Sequence, residues 1–195
     1  MILPIVAYGH PVLKKKAQEV NPQSKEVQEL IDNMWETMYN ASGVGLAAPQ
    51  VGKSWRIFII DPAAFAADES LPEDEKKELK SLKQTFINPE VIEENGDEWA
   101  FQEGCLSIPD VREDVFRKPE IKIAYHDREG QLHETNFSGV AARVIQHEYD
   151  HIEGVLFTDK LSGLKKRLIK GKLNAISKGK IDIEYRMKFP KYKKK

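Results

Sequence analysis

Between residues 85 and 137 the chain passes through four short segments rich in β-forming residues, at 85–93, 99–101, 121–126 and 132–137. The last two flank the tetrapeptide 127–130, which is typical of a hairpin turn. Strands that are neighbours in sequence pair in an antiparallel manner, whereas a parallel sheet needs a helix between consecutive strands. The sequence therefore predicts an α+β fold with antiparallel sheets and helices packed on them.

A helical pattern over residues 139–152 follows these segments directly. Val140, Val144, His147 and His151 recur on one side of it, and Gly154 is a natural stop just beyond its end. We expect the antiparallel sheets to pack around this central helix, which carries the sequence HEYDH.

Two more helices are predicted on either side of this region. The first spans residues 22–41, begins with Asn21 as N-cap and Pro22 in its first turn, and buries Val27, Ile31, Met34 and Met38. The other spans residues 162–177, with an inner face formed by Leu164, Leu168, Leu173 and Ile176. A buried strand is expected at residues 55–60, and a short terminal strand at 181–189.

The length of 195 residues and the 41% hydrophobic content favour one domain that spans the whole chain, 1–195. Residues 62–84 are rich in alanine and charge, and Leu79 and Leu82 are their main apolar residues in the helical part. We expect this segment to be a charged surface insertion without a chemical role.

Charge is distributed unevenly along the chain. Residues 160–195 hold 14 Lys and Arg against 2 Asp and Glu, while residues 1–159 hold 16 against 29. A basic C-terminal extension on an acidic body favours contact with a polyanion, although a solvated basic helix has the same composition.

The sequence lacks an apolar run of roughly 20 residues, the length needed to span a bilayer, and its N-terminus lacks the pattern of a secretory signal. We therefore expect a soluble protein of the cytoplasm with no membrane partner. The single cysteine, Cys105, cannot form an internal disulfide, so its thiol is either a small buried group or a participant in chemistry.

The pentapeptide HEYDH places His147 and His151 four residues apart on the predicted helix. Side chains at this spacing share a face, which suits two imidazoles that bind one metal ion. Glu148 then lies beside the metal without being a ligand, where it can take a proton from water and pass it to a leaving group.

The third ligand decides the class of enzyme. In the metzincin pattern a third histidine would stand where this chain has Phe157, and the thermolysin-like pattern would have to use Glu184, which has no supporting motif. Cys105, in the segment EGCLS at 103–107, is the remaining candidate. A thiolate and two imidazoles would leave one position open for water, as in catalytic sites.

A third segment, GVGLAAPQ at 43–50, lacks the Lys and Ser or Thr of a phosphate-binding loop. Its small residues suit a tight turn or close packing. The side-chain amide of Gln50 can donate a hydrogen bond to an oxyanion once a carbonyl has been attacked.

These three segments, in this order and at these separations, resemble the signature motifs of bacterial peptide deformylases. The resemblance covers residues 1–160. It implies hydrolytic removal of formate from the N-terminal formyl-methionine of nascent polypeptides. It also implies one Fe²⁺ ion held by Cys105, His147 and His151, which Zn²⁺ or Ni²⁺ replaces in some members.

The resemblance further implies roles for individual residues. Glu148 would act as acid and base, and Gln50 with the backbone N–H of Leu106 would stabilise the oxyanion. Independently of the resemblance, a formyl group can reach a metal only past an uncluttered backbone, which Gly43, Gly45 and Gly104 would allow, and Gly45 would also bind the substrate peptide as an added strand. Candidates to line an apolar slot for the methionine side chain are Val44 and Val144.

Acidic residues next to the ligands form a further hypothesis. Glu103 and Asp150 flank ligand-bearing positions, and we expect Glu103 in particular to accept hydrogen bonds that hold the Cys105 loop. Their possible cationic partners are Arg112, Arg117 and Arg143.

Two other functions remain open from the residues themselves. A zinc peptidase of another HExxH class would use a third ligand other than Cys105. A structural zinc protein would need a fourth ligand, from His126 or His133. For the basic extension, the resemblance suggests the ribosome as a partner.

Overall fold

Residues 1–190, which the computed structural model describes, form nine strands and four α-helices. The strands are β1 Ile5–Val6, β2 Gly45–Ala47, β3 Ile57–Ile60, β4 Gln84–Asn95, β5 Trp99–Cys105, β6 Ile108–Arg117, β7 Glu120–His126, β8 Leu132–Ser138 and β9 Met187–Lys188. The helices are α1 Lys25–Asn40, α2 Glu73–Ser81, α3 Gly139–Ile152 and α4 Gly163–Ser177. Residues 191–195, the end of the predicted basic extension, lie outside the described part.

The largest sheet has five strands in the order β2-β3-β4-β7-β8, and every pair in it is antiparallel. Strands β7 and β8 form the hairpin that the sequence predicts, with Ile121 opposite Phe137 and His126 opposite Leu132. Strand β2 lies at the edge of the sheet, next to β3. The prediction of an α+β fold with antiparallel sheets is therefore confirmed.

Helix α1 buries the apolar face that its sequence predicts, since Val27, Ile31, Met34 and Met38 are buried. Its start differs from the prediction. The helix begins three residues later than expected, at Lys25, and the hydroxyl of Ser24 accepts a hydrogen bond from the N–H of Val27. Serine at this position satisfies a free amide of the first turn, the function that the sequence pattern predicts for Asn21.

Helix α3 follows β8 and has the predicted bounds. Its apolar residues, including Val140, Val144 and Ile145, join Phe58 and Phe86 of the five-stranded sheet in one core cluster. The chain leaves the helix at Gly154, which has a positive φ of 76°. A Cβ atom there would also crowd the backbone of Lys14, so this position requires glycine.

Strands β5 and β6 form a separate antiparallel hairpin. The sequence predicts only the first part of β5 and misses β6 entirely. Strand β6 contains a proline and several charged residues, and its buried residues are not in strict alternation along the segment. Strands of this composition score poorly on local propensity, and their pairing partner stabilises them instead.

The segment 62–84 is more closely integrated with the fold than the sequence suggests. Pro62, Ala66 and Leu79 are buried, and α2 packs against α3. At the start of α3, Ser138 provides no side-chain cap. Instead Glu75 of α2 accepts a hydrogen bond of 2.8 Å from the N–H of Val140. The segment is thus charged and largely exposed, and it also contributes buried residues and a contact to the start of α3.

Helix α4 is the predicted basic helix, but its buried face is different. Ile169, Leu173 and Ile176 are buried, whereas Leu164 and Leu168 are 68% and 74% exposed. Between α4 and residue 190, Met187–Lys188 is the one segment that forms a strand, and this strand pairs in parallel with β1. Within residues 1–190 no helix combines the length and apolar character that crossing a membrane requires.

Candidate metal centre and cleft

Helix α3 presents His147 and His151 one turn apart on a buried face, with their ring centroids 5.0 Å from each other. The spacing of four residues brings the two rings together, as expected for neighbouring turns of a helix. Cys105 comes from the far side of the site, at the last position of β5. Its Sγ atom lies 3.3 Å from Nε2 of His151.

The donor atoms of Cys105, His147 and His151 all lie within 4.8 Å of one another, so one ion can contact all three. A soft thiolate with two imidazoles suits a divalent transition metal or zinc, and three protein ligands leave a position open for water or substrate. The residues present therefore fit a single catalytic metal ion.

The protonation of the two histidines reflects their surroundings. Burial and the positive charges of His147 and Arg117 lower the pKa of His151 well below its ordinary value, which favours the neutral imidazole that a ligand needs. Burial also opposes a charge on His147, but its hydrogen bonds with Cys105 and Glu103 raise the pKa of His147 well above the usual value. A bound cation would compete with this proton.

Glu103 is a buried carboxylate with three partners. Arg117 donates two hydrogen bonds to it, at 2.7 and 3.0 Å, and Arg143 donates one at 3.1 Å. The Nδ1–H of His147 donates a fourth, at 2.8 Å, so Nε2 of this ring is the atom left for a metal. Burial alone would raise the pKa of Glu103, but the bonds from His147 and Arg117 hold it far below its ordinary range.

Asp150 belongs to the same network through Arg117, whose Nη1 donates to its carboxylate at 2.6 Å. Two of the three arginines considered from the sequence, Arg117 and Arg143, thus contact Glu103. Arg112 is exposed and instead lies against Gly104.

Glu148 is buried beside the histidines, and its Oε2 atom has no hydrogen-bond partner among the described residues. Burial raises the pKa of this carboxyl to about 7, where it can both accept and release a proton near neutral pH. Gly45 of β2 packs directly on the carboxylate, because a Cβ atom at this position would overlap Oε1 of Glu148.

Gln50 is buried in the short 3-10 helix that follows β2. Its Oε1 accepts a hydrogen bond of 2.8 Å from the N–H of Ala47, which aims Nε2 towards the thiol. Nε2 lies 3.4 Å from Sγ of Cys105 and 3.4 Å from Oγ of Ser107. Leu106, between these two residues, forms the turn from β5 to β6.

A cleft of about 470 Å³ opens over these groups. The structure brings the predicted residues Val44, Gly45, Gly104 and Val144 into its lining, together with Gln50, Cys105, Leu106, His147 and Glu148. His151 lies behind them and is buried.

Three aromatic residues that line the cleft, Phe65, Phe101 and Tyr185, are not among the site residues that the sequence predicts. Phe65 belongs to the segment 62–84 and packs edge to face against Phe101 of β5, with ring centroids 5.7 Å apart. It is the only aromatic residue in an alanine-rich stretch, a signal that was available in the sequence. Tyr185, from the C-terminal segment, also lines the cleft and carries no local signal of this role.

The alternative ligands take no part in this cluster. Among residues 1–190, the group of donors around HEYDH consists of Cys105, His147 and His151, and it includes neither Glu184 nor a fourth protein ligand. His133 lies in the β7–β8 hairpin, where its ring contacts Asp127.

Three side chains that can bind one metal ion, an open cleft and a buried carboxyl beside them are the arrangement expected of a mononuclear metal-dependent hydrolase. The model of the family described as polypeptide deformylase matches residues 2–167. The chain belongs to this family.

Curated relatives and solved structures agree with this assignment. The chain is 68% identical to the peptide deformylase of Christiangramia forsetii over 194 residues, which cover 100% of this chain and 99% of the relative. It is 60% identical to that of Flavobacterium johnsoniae over 194 residues, with the same coverage. The crystal structure of a peptide deformylase from Legionella pneumophila superposes with a TM-score of 0.77 at 35% identity, covering 92% of this chain and 98% of that one.

Proposed function

We propose that this cleft is the active site of a peptide deformylase and that its resident ion is Fe²⁺, with Zn²⁺ or Ni²⁺ able to replace it. The family's reaction is the hydrolytic removal of the formyl group from the N-terminal formyl-methionine of new polypeptides. The observation that carries the proposal is the meeting of three donors with the unpartnered carboxylate of Glu148 at the base of an open cleft.

Cys105, His147 and His151 would hold the ion. When bound, it supplies Lewis acidity for a carbonyl oxygen and makes water acidic enough to ionise near neutral pH. Glu148 takes the proton of the attacking water, and the same carboxyl then gives it to the departing amine nitrogen. Its raised pKa, about 7, suits both transfers.

Gln50 and Leu106 would stabilise the negative charge that develops on the formyl oxygen. The Nε2 amide of Gln50 already points to the metal ligand Cys105, and its other end is anchored on the backbone of Ala47. Donors held in place before the reaction need no reorganisation when the charge appears, which is why such groups contribute strongly to catalysis.

The substrate would lie along the free edge of β2, with the backbone of Gly45 binding it as an added strand. Gly45 and Gly104 line the cleft without side chains, so a small formyl group can reach the proposed metal ligands. Val44 and Val144 contribute apolar surface to the cleft for the methionine side chain.

Glu103 would orient His147 and support the strand that carries Cys105. Its two arginine partners neutralise a carboxylate that is otherwise costly to bury, so it can bind the Nδ1–H of His147 without disrupting the core.

For the whole chain, we propose one catalytic domain over residues 1–195, arranged around α3 as its central helix. The basic segment that begins at residue 160 would contact the ribosome. The enzyme would then act in the cytoplasm, close to its nascent substrates. The excess of Lys and Arg in this segment and the exposed Leu164 and Leu168 on α4 support a surface for contact.

The test is formate release from formyl-Met-Ala-Ser by anaerobically purified, iron-loaded protein. We expect turnover by the wild type, and loss of both bound metal and activity in Cys105→Ser, because a neutral hydroxyl replaces a charged soft donor. Glu148→Ala should keep the metal and lose at least about a hundredfold in turnover. Full metal content and normal turnover in Cys105→Ser would remove the thiol from the ligand set.

A further inference from the structure

The turn that joins β5 to β6 has an unusual conformation for its length. Cys105 pairs with Ile108, so Leu106 and Ser107 alone make the connection. Two-residue hairpin turns normally need a positive φ, yet neither Leu106 nor Ser107 has one. The ladder is irregular beside the turn, where Gly104 pairs with Arg112 and Asp110 takes the positive φ of 60°, and the turn also receives contacts from other parts of the chain.

Three hydrogen bonds reach the turn from other parts of the chain. The N–H of Tyr8 donates to the carbonyl of Ser107 at 2.8 Å, and Gln50 donates to the Ser107 hydroxyl at 3.4 Å. The phenol of Tyr185 donates to the carbonyl oxygen of Leu106 at 2.7 Å. The bond from Tyr185 therefore reaches Leu106, the residue whose backbone N–H we propose as a hydrogen-bond donor to the oxyanion.

The C-terminal segment brings Tyr185 to this position through pairing with the N-terminus. Ile5 donates its N–H to the carbonyl of Arg186, and Ala7 donates to that of Lys188, both at 2.9 Å. Tyr8, which contacts the turn, directly follows this pairing. The two ends of the chain thus form one support behind the turn, and Tyr185 lies outside residues 2–167, which the family model matches.

We propose that Tyr185 is a positioning residue of the active site, which holds Leu106 so that its backbone N–H faces the formyl oxygen. The pairing of Cys105 fixes the chain on one side of Leu106, and the bond from Tyr185 fixes the carbonyl on the other. Rotation of Leu106 would turn its N–H away from the cleft. This inference rests on the proposed oxyanion role of Leu106.

The surroundings of Tyr185 keep its hydroxyl a donor. Burial, together with the negative charges of Cys105 and Asp110, raises the pKa of this phenol far above its ordinary value. Its ring packs in the same apolar cluster as Leu106 and Met187, so removal of the hydroxyl alone leaves the packing of the ring intact.

The test compares Tyr185→Phe with wild type in iron-loaded protein. We expect kcat for formyl-Met-Ala-Ser to fall about tenfold, less than the loss that follows removal of an oxyanion donor, while KM and metal content stay within about twofold. The matched control is Tyr125→Phe, which removes another buried phenol, that of β7, outside the cleft. It should lower the melting temperature without lowering kcat.

Gln50→Ala separates this inference from the proposed function. Formate release by wild type together with a large loss of kcat in Gln50→Ala supports the oxyanion site itself. Unchanged kcat in Tyr185→Phe would then overturn the positioning role alone, as would a fall in kcat that is matched by loss of metal. In the double variant Tyr185→Phe/Gln50→Ala, the fold loss of kcat should be smaller than the product of the fold losses in the two single variants. A fold loss equal to that product would contradict a shared oxyanion site.

Discussion

At the scale of single residues, the site depends on how closely β2 approaches the proposed proton carrier. Gly45 leaves no space between its backbone and the carboxylate of Glu148, and the side chain of Glu148 is enclosed by the core. A methyl group at this position would displace the carboxylate from the place where water must be deprotonated.

We therefore expect Gly45→Ala to lower kcat by at least about tenfold with little loss of metal, because catalysis is sensitive to small displacements of a reacting group. The control is Gly171→Ala in α4, where an added Cβ meets nothing within 4 Å. Steady-state formate release and metal analysis are the measurements. Wild-type kcat in Gly45→Ala would show that the carboxylate has room to move.

Glu103 leads to a second prediction at this scale. In Glu103→Gln, the charge that balances Arg117 and Arg143 disappears and the acceptor for His147 is weakened. We expect metal affinity to fall about tenfold or more, measured by competition with a chelator.

The matched control for Glu103 is Glu113→Gln. Glu113 stands opposite Glu103 in the β5–β6 ladder, but it pairs with Lys165 near the surface. Equal metal affinity in both variants and the wild type would contradict the role of Glu103 in supporting His147.

At the scale of elements, α2 contacts the start of α3, the helix that carries the two proposed histidine ligands. Glu75 accepts the N–H of Val140 in the first turn of α3, which places a negative charge at the positive end of the helix dipole. Gly139 has a positive φ of 55° and no room for a Cβ atom beside Glu75. The segment 62–84 thus supports α3 from outside the five-stranded sheet.

Glu75→Ala should lower the free energy of unfolding by about 1 kcal/mol, the usual cost of a lost helix cap. Glu78→Ala on the same helix is the control, because its carboxylate lies among like charges and its pKa is raised by burial and by Glu75 and Asp74. Denaturant unfolding of both variants gives the comparison. An equal effect in the two would mean that the cap contributes nothing specific.

At the scale of the whole molecule, residues 1–159 carry a net negative charge and residues 160–195 carry a net positive charge. The basic segment from residue 160 includes α4, on which Arg167 and Lys170 are exposed. Contact with ribosomal RNA through this surface would release counterions, so its affinity should fall steeply as salt rises.

We expect the double variant Arg167→Glu/Lys170→Glu to bind ribosomes about tenfold or more weakly at low salt, with formate release from the free tripeptide unchanged. Lys77→Glu/Lys80→Glu on α2 is the control, since it makes the same change of charge on exposed residues elsewhere. Co-sedimentation over a salt series is the measurement. Equal binding by both double variants would exclude α4 as the contact.

Features that depend on neighbours in sequence were predicted correctly. The bounds of α3, the β7–β8 hairpin and the buried face of α1 follow from periodicity and turn chemistry, which act over a few residues. The helical spacing of His147 and His151 belongs to the same class. Predictions failed where a distant partner decides, as with β6 and with the exposed Leu164 and Leu168 of α4, whereas the cap of α1 was misplaced although Ser24 and Val27 are only three residues apart.

By itself, the sequence determined the motifs, the fold class and the pairing of two imidazoles on one helical face. The tertiary structure alone decided which distant groups join them. Phe65 at the cleft, Glu75 at the start of α3 and Tyr185 behind the Cys105 turn arrive through contacts between residues far apart in the chain. Local propensity carries no information about such contacts, because their energy appears only when the core brings the elements together.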